Sequence, residues 1–323
     1  MKILIVKLGA LGDVINTFPL AVNLKEKLEC EIHWLVAPLS YLLVVNHSCV
    51  DKAILFDRKH TIKSLRHVLQ QIRMDAYDIT FDLQRTLKSG FFALAANSRR
   101  RIGFDKKRCK EMSWLFPFER IKSSDPEKHM LDQYLEFSAH LDLRCDHIQW
   151  KIPRTETTIS GIPKKYLVLN IGATKSANQW SPYHFANLID AIDNELNIPC
   201  ILTGGPQDRQ PAKIIMSESA CPVVDLTGKT SVPELVEVLA NAVCTISCDT
   251  GPMHLAKALN TKVVALFGPS NPERTGPYHG VVIKKDVDCS PCNQKQCRDP
   301  FCMDAIKPSD VMAQLKHLLN HHS

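Results

Sequence analysis

Asp13 is the carboxylate best placed to do chemistry. It closes the run Ile3-Leu-Ile-Val-Lys-Leu-Gly-Ala-Leu-Gly-Asp13, in which an apolar, strand-like stretch leads through Gly9 and Gly12 into a helical pattern. Such a turn brings backbone N–H groups and a helix N-terminus up to a ligand. A carboxylate there could cap the helix or, at the mouth of a cleft, act as a general base. A dinucleotide fingerprint needs G-x-G-x-x-G, and this loop has only two of its glycines, which weakens a dehydrogenase reading.

A second strand–loop–helix unit is Ser247-Cys-Asp-Thr-Gly-Pro-Met-His-Leu-Ala256. Pro252 suits a first helical turn, where its missing N–H costs nothing. The amides of Thr250 and Gly251 would then face outward with the helix dipole behind them, a cradle for a diphosphate. His254, one turn in, could be core or ligand-facing. Three more loops of this half end on strands: 172–180 with Thr174 and Lys175, 203–208 with Asp208, and 226–231 with Thr230. Each alone could be a turn, but four convergent loops favour a nucleotide site.

Two clusters stand apart. Residues 98–110 hold Arg99, Arg100, Arg101, Lys106, Lys107, Arg108 and Lys110 against the single acid Asp105, which accounts for the whole net charge of +6. Density of that kind suits phosphate groups, an acidic membrane surface or nucleic acid. Cys289, Cys292, Cys297 and Cys302 follow the spacing C-x2-C-x4-C-x4-C and could hold a structural zinc, pack as reduced thiols or pair as disulfides. Asp286 and Asp288 form a D-x-D that reads as surface.

Positioning these residues needs a regular frame, and 323 residues with 45% hydrophobic and 23% charged residues can build one, with a length that suits about two domains. Fibrous, collagenous and disordered classes are excluded. No apolar run approaches the ~18 residues of a membrane helix, and the start lacks a signal-peptide pattern, so a cytosolic chain is expected. Twelve cysteines in a chain able to build a core argue for buried reduced thiols at Cys200, Cys244 and Cys248. Short β-branched runs alternate with helical patterns. Strands are predicted at 2–6, 31–37, 52–57, 79–83 and 101–104, then at 166–171, 200–203, 223–226, 243–247 and 262–267. Helices fall at 14–28, 61–74 and 127–143, then at 182–195, 208–218, 232–241, 252–259 and 309–319. The pattern predicts an α/β fold of two doubly wound, Rossmann-like domains, 1–155 and 156–323, joined by the Pro-, Gly- and Thr-bearing stretch 151–165 and facing a cleft. His321 and His322 belong to no predicted element.

The ordered motifs KILIVKLGALGDVINTFP, FDLQRTLKSG, RRRIGFD, TGG, DLTGKTSVPEL, DTGPMHLAKAL and VVALFGPSNPERTGP resemble those of the ADP-heptose:lipopolysaccharide heptosyltransferases, family-nine glycosyltransferases of GT-B architecture, nearly end to end. The resemblance implies an inverting transfer of heptose from ADP-heptose to the lipopolysaccharide inner core, at the cytosolic face of the inner membrane. It requires no cofactor and no nucleic-acid partner. By it Asp13 matches the catalytic base. Asp249, Thr250, Gly251 and His254 match the donor site, Thr174 a phosphate-binding threonine, Thr230 the adenosine pocket and Asp208 a ribose-binding acid. The acceptor side takes Gln84, Lys88, Arg99, Arg100 and Arg101, and the last helix returns toward the first domain. Two positions depart from the pattern: Asn178 replaces a lysine that meets the diphosphate, leaving Lys175 to supply the charge, and Arg85 follows Gln84 where glycine is usual. A GT-B enzyme with another nucleotide sugar is the alternative. A nucleic-acid-binding protein with a zinc knuckle is the rival of another class, although Phe104 alone among residues 98–110 offers a stacking ring.

Overall fold

The computed structural model describes residues 1–57, 59, 61–155, 157 and 159–320, so His321 and His322 lie outside the described residues. The chain divides into two compact units, Met1–Pro153 and Arg154–Ser323, each with its own core.

In the first unit β1 (Lys2–Val6), β2 (Glu31–Val36), β3 (Lys52–Leu55), β4 (Tyr77–Asp82), β5 (Ser98–Gly103) and β6 (Glu119–Arg120) form one sheet in the order β3-β2-β1-β4-β5-β6. All its pairings are parallel. The near-continuous apolar runs follow from burial on both faces, and Ile3 to Val6 are wholly buried. The helix predicted over 14–28 is two, α1 (Leu11–Ile15) and α2 (Phe18–Leu28). Pro19 causes the break, because a proline inside a continuous helix would remove an N–H and clash one turn back. Two helices fall outside the predicted elements: α3 (Pro38–Val45), whose largely apolar sequence shows no clear helical period, and α5 (Leu87–Ala95). The latter starts from a capping box between Thr86 and Ser89. α4 (Thr61–Met74) and α6 (Met130–Ala139) complete the unit.

The second unit repeats the plan. β7 (Leu167–Asn170), β8 (Cys200–Thr203), β9 (Val224–Asp225), β10 (Cys244–Cys248), β11 (Val263–Phe267) and β12 (Val281–Lys284) lie in the order β12-β11-β10-β7-β8-β9, again parallel throughout. Its helices are α7 (Pro182–Leu196), α8 (Arg209–Glu218), α9 (Val232–Ala240), α10 (Gly251–Ala258), α11 (Pro272–Thr275), α12 (Phe301–Asp304) and α13 (Pro308–Asn320). α13 buries Val311, Met312 and Leu315 in this unit's core, and Lys262 Nζ donates to Leu318 O at 2.8 Å, so the last helix is anchored to the second unit. Both sheets have the strand order of a dinucleotide-binding domain, in which ligands bind beyond the carboxyl ends of the strands where the order reverses. That point falls between β1 and β4 in one unit and between β7 and β10 in the other. No described helix is long and apolar enough to cross a membrane.

Candidate active site

At the first switch point β1 runs into the Lys7–Ala10 turn and β4 into Gln84 and Arg85. The Gln84 side chain closes the gap between them: its Oε1 accepts from the N–H of Leu8 at 3.1 Å and of Gly9 at 3.3 Å. Gln84, expected on the acceptor side, thereby fixes the loop that carries Asp13. One Asp13 oxygen accepts from the Tyr134 hydroxyl at 3.1 Å and the other pairs with Lys7 Nζ at 3.2 Å, leaving the side chain 33% exposed. Lys7 is 1% exposed, and burial pulls its pKa down to about 8 against the pull of Asp13. For Asp13, burial works to raise the pKa, but the charges of Lys7 and Arg85 and the Tyr134 hydroxyl prevail and hold it below the ordinary carboxylate value. The carboxylate is ionised at neutral pH, anchored on both oxygens and still open to solvent. α1 carries no side-chain cap, so Asp13 is not spent on capping.

Lys7 and Tyr134 escaped the sequence reading. The signal for Lys7 was a lysine at the end of an otherwise apolar strand; Tyr134 lies 121 residues from its partner and gave none. Arg85 sits at φ +66°, which explains why glycine suits the position, and its buried guanidinium lies 4.9 Å from the Phe104 ring. Behind it Asp82 accepts from the backbone N–H of Gln84 at 3.2 Å and of Arg85 at 3.3 Å, and burial raises its pKa to about 6.

Lys88 lies exposed on α5, its Nζ 5.5 Å from the Phe56 ring. The arginines expected on the acceptor side lie on β5. Arg100 and Arg101 pair in register with Ile79 and Thr80, short of the carboxyl end of the sheet, so β5 does not bring them to Asp13. Arg100 forks onto Glu119 at 2.8 and 3.0 Å, and Arg101 donates to the carbonyls of Ala93 and Ala96 that end α5. Arg99 remains 85% exposed, 3.5 Å from Asp78. Arg108 is buried between Asp105 and Glu136. Three members of the stretch that reads as one basic block, Arg100, Arg101 and Arg108, are thus spent on acids and carbonyls supplied by the fold.

In the second unit the four expected loops do converge. Asn170, at the end of β7, donates to Gly172 O at 3.3 Å and to Ser247 Oγ at 3.0 Å while accepting from Thr203. It ties three strand ends together. Gly228 N donates to Gly204 O at 2.9 Å, joining the next two loops. Asp208 is buried beneath them, accepting from Gly205 N at 2.8 Å, and a Cβ on Gly172 would come within 2.6 Å of its carboxylate. Burial raises its pKa. The ribose-binding acid of the resemblance is therefore turned onto its own loop. Asn178 donates to Asp249 Oδ2 and meets Ser270 Oγ, each at 3.3 Å. Thr250 precedes α10, Gly251 opens it and His254 is buried on it. Thr174 is exposed, Lys175 half-buried, and Thr230 half-buried just before the cap of α9.

The cysteine segment does not form the four-thiolate zinc site offered by its spacing. Among the described residues no group of three or more His, Cys, Asp or Glu could hold a metal ion. Cys289, Cys292 and Cys297 are exposed free thiols, whereas Cys302 is buried in α12. The segment instead packs on loops of the second unit: Ala177 N and Ser176 Oγ reach Lys295 O, and Cys292 N and Asn293 N donate to Pro269 O. Asp286 and Asp288 are exposed, in keeping with a surface reading.

Two doubly wound parallel sheets, with an anchored carboxylate at the switch point of one and four convergent loops at that of the other, give the chain the GT-B architecture. The chain belongs to glycosyltransferase family 9 (heptosyltransferase), whose family model matches residues 65–301. It is 24% identical over 287 residues to the lipopolysaccharide core heptosyltransferase OpsX of Haemophilus influenzae, covering 86% of this chain and 82% of that one. Lipooligosaccharide heptosyltransferase 2 of Campylobacter jejuni is 27% identical over 333 residues, with 99% of both chains covered. The E. coli ADP-heptose lps heptosyltransferase II has the same fold, with a TM-score of 0.79 at 22% identity over 99% of this chain and 98% of that one.

Proposed function

We propose that this chain transfers a heptose from ADP-heptose to the inner core of lipopolysaccharide with inversion, working in the cytoplasm against the inner membrane. The observation that carries the mechanism is the Asp13 carboxylate, ionised and exposed between Lys7 and Tyr134. As the acceptor hydroxyl oxygen attacks the anomeric carbon, its proton passes to Asp13 and the bond from that carbon to the diphosphate breaks, its electron pair leaving on ADP. Asp249 orients the sugar. The amides of Thr250 and Gly251 at the start of α10, with Thr174 and Lys175, receive the diphosphate, whose growing charge such donors stabilise. Thr230 lies toward the adenosine. Gln84 acts by holding the Asp13 loop, and Lys88, exposed on α5 four residues further on, offers a cation to the acceptor. No cofactor and no nucleic acid enter this scheme.

Asn178 favours one variant of the reading. Hydrogen-bonded to Asp249 where the resemblance implies a lysine, it alters the donor site, and the alternative it leaves is a GT-B enzyme that uses another nucleotide sugar. Incubation with a panel of nucleotide sugars and truncated lipopolysaccharides, with mass detection, separates the two. A heptosylated core from ADP-heptose is expected. A product from another nucleotide sugar alone would replace the donor, and no sugar transfer from any donor would sink the reading.

A further inference from the structure

Six large apolar side chains stand 37–57% exposed between residues 87 and 115: Leu87, Phe91, Leu94, Met112, Trp114 and Leu115. They form one surface. α5 turns Ser89, Gly90, Phe92 and Ala93 inward and leaves Leu87, Lys88, Phe91 and Leu94 outside. The 110–116 segment is laid along that helix: Lys110 N and Ser113 Oγ donate to Arg85 O, Leu87 N donates to Glu111 Oε2 at 3.2 Å, and a methyl group on Gly90 would overlap the Phe116 ring. Lys88, Lys106, Lys107 and Lys110 are exposed around this surface, and the Lys106 ammonium lies 4.2 Å from the Trp114 ring. Glu111 is the acid of the segment, and it is turned onto the first N–H of α5.

We infer that this face of the first unit docks on a lipid bilayer carrying anionic headgroups. An exposed apolar patch rimmed by polar residues marks an interaction site. The occupant follows from the charge: an apolar stripe bordered by lysines, with a tryptophan under one of them, is the chemistry of a helix lying in the headgroup layer. A second copy of the same face would set lysines against lysines. The surface begins at Leu87, three residues after the Gln84 that holds the Asp13 loop, so a docked protein has its base near the bilayer surface. The proposal deepens the reading of a lipid-linked acceptor and rests on it for its purpose only.

Flotation of the purified full chain with phosphatidylcholine vesicles, with and without phosphatidylglycerol, tests it in the absence of donor and acceptor. Partition about tenfold higher onto the anionic vesicles is expected. Phe91→Ser with Leu115→Ser should cut it about tenfold, and Lys106→Gln with Lys107→Gln should erase the anionic preference, both with an unchanged melting temperature. Equal partition of the native chain onto both vesicles, or native-like flotation of the apolar pair, overturns the proposal. So does a dimer in sedimentation that Phe91→Ser dissolves. Transfer to an acyl-free core oligosaccharide, measured in parallel, keeps failure of the activity distinct from failure of the docking face.

Discussion

At the scale of single residues, the pairing of Lys7 with Asp13 makes two separate predictions. Asp13→Asn keeps the shape of the site and removes the proton acceptor, so kcat should fall by about 10²–10⁴-fold while calorimetric affinity for ADP holds. Near-normal turnover would leave Asp13 without a catalytic part. Lys7→Met removes the charge that opposes burial at Asp13, so the carboxylate pKa must rise and the acid limb of kcat/KM must move to higher pH. The same variant tests stability. Lys7 titrates near 8 in the fold against 10.5 in the unfolded chain, so between those values the unfolded chain binds more protons and raising the pH favours folding. The contribution is lost as pH falls through that window, by about 3 kcal/mol. A change of the denaturation midpoint from pH 8 to 10 that is more positive in the native protein than in Lys7→Met is the expected result, because the buried thiols lower both alike over that window.

Among the elements, the second unit depends on glycines that let loops touch. Gly172→Ala places a methyl against the Asp208 carboxylate, and overpacking of that kind costs about 1–3 kcal/mol. The prediction is a raised Kd for ADP, read by calorimetry, with the Asp13 acid limb unmoved; unchanged ADP affinity would detach this loop from the donor site. The elements themselves were legible where pattern and length agreed. β1, α4 and β8 lie where periodicity predicts, because a buried parallel strand and an amphipathic helix each leave a clean signature. α3 and α5 were missed because a short helix lying against a sheet has an apolar sequence without clear period. Residue types marked Asp13 and the loops around Asp249 as candidates, but not their partners. Tyr134 beside Asp13, Glu119 beside Arg100 and Lys295 beside Ala177 are tertiary pairings, and the basic stretch reads as one block because Glu119, which meets Arg100, and Glu136, which joins Asp105 on Arg108, lie outside it in sequence.

For the whole molecule, cysteine chemistry separates surface from interior. Burial pushes the Cys244 and Cys248 thiols up to about 12, whereas Cys289, Cys292 and Cys297 are exposed. Brief alkylation at pH 8 should label those three and spare the buried two, and chelation should leave both the melting temperature and transfer unchanged. A melting temperature that drops on chelation would restore a metal to the segment. The repeated strand order has a consequence of another kind. Each sheet builds its loops from its own half of the chain, and the halves part between Pro153 and Arg154. On the proposed division of labour, one recombination between relatives at that junction transmits a complete nucleotide-sugar preference while leaving acceptor choice and the proton acceptor with the other parent. On that division, new pairings of sugar and acceptor would arise by exchange of halves, without any site being built afresh.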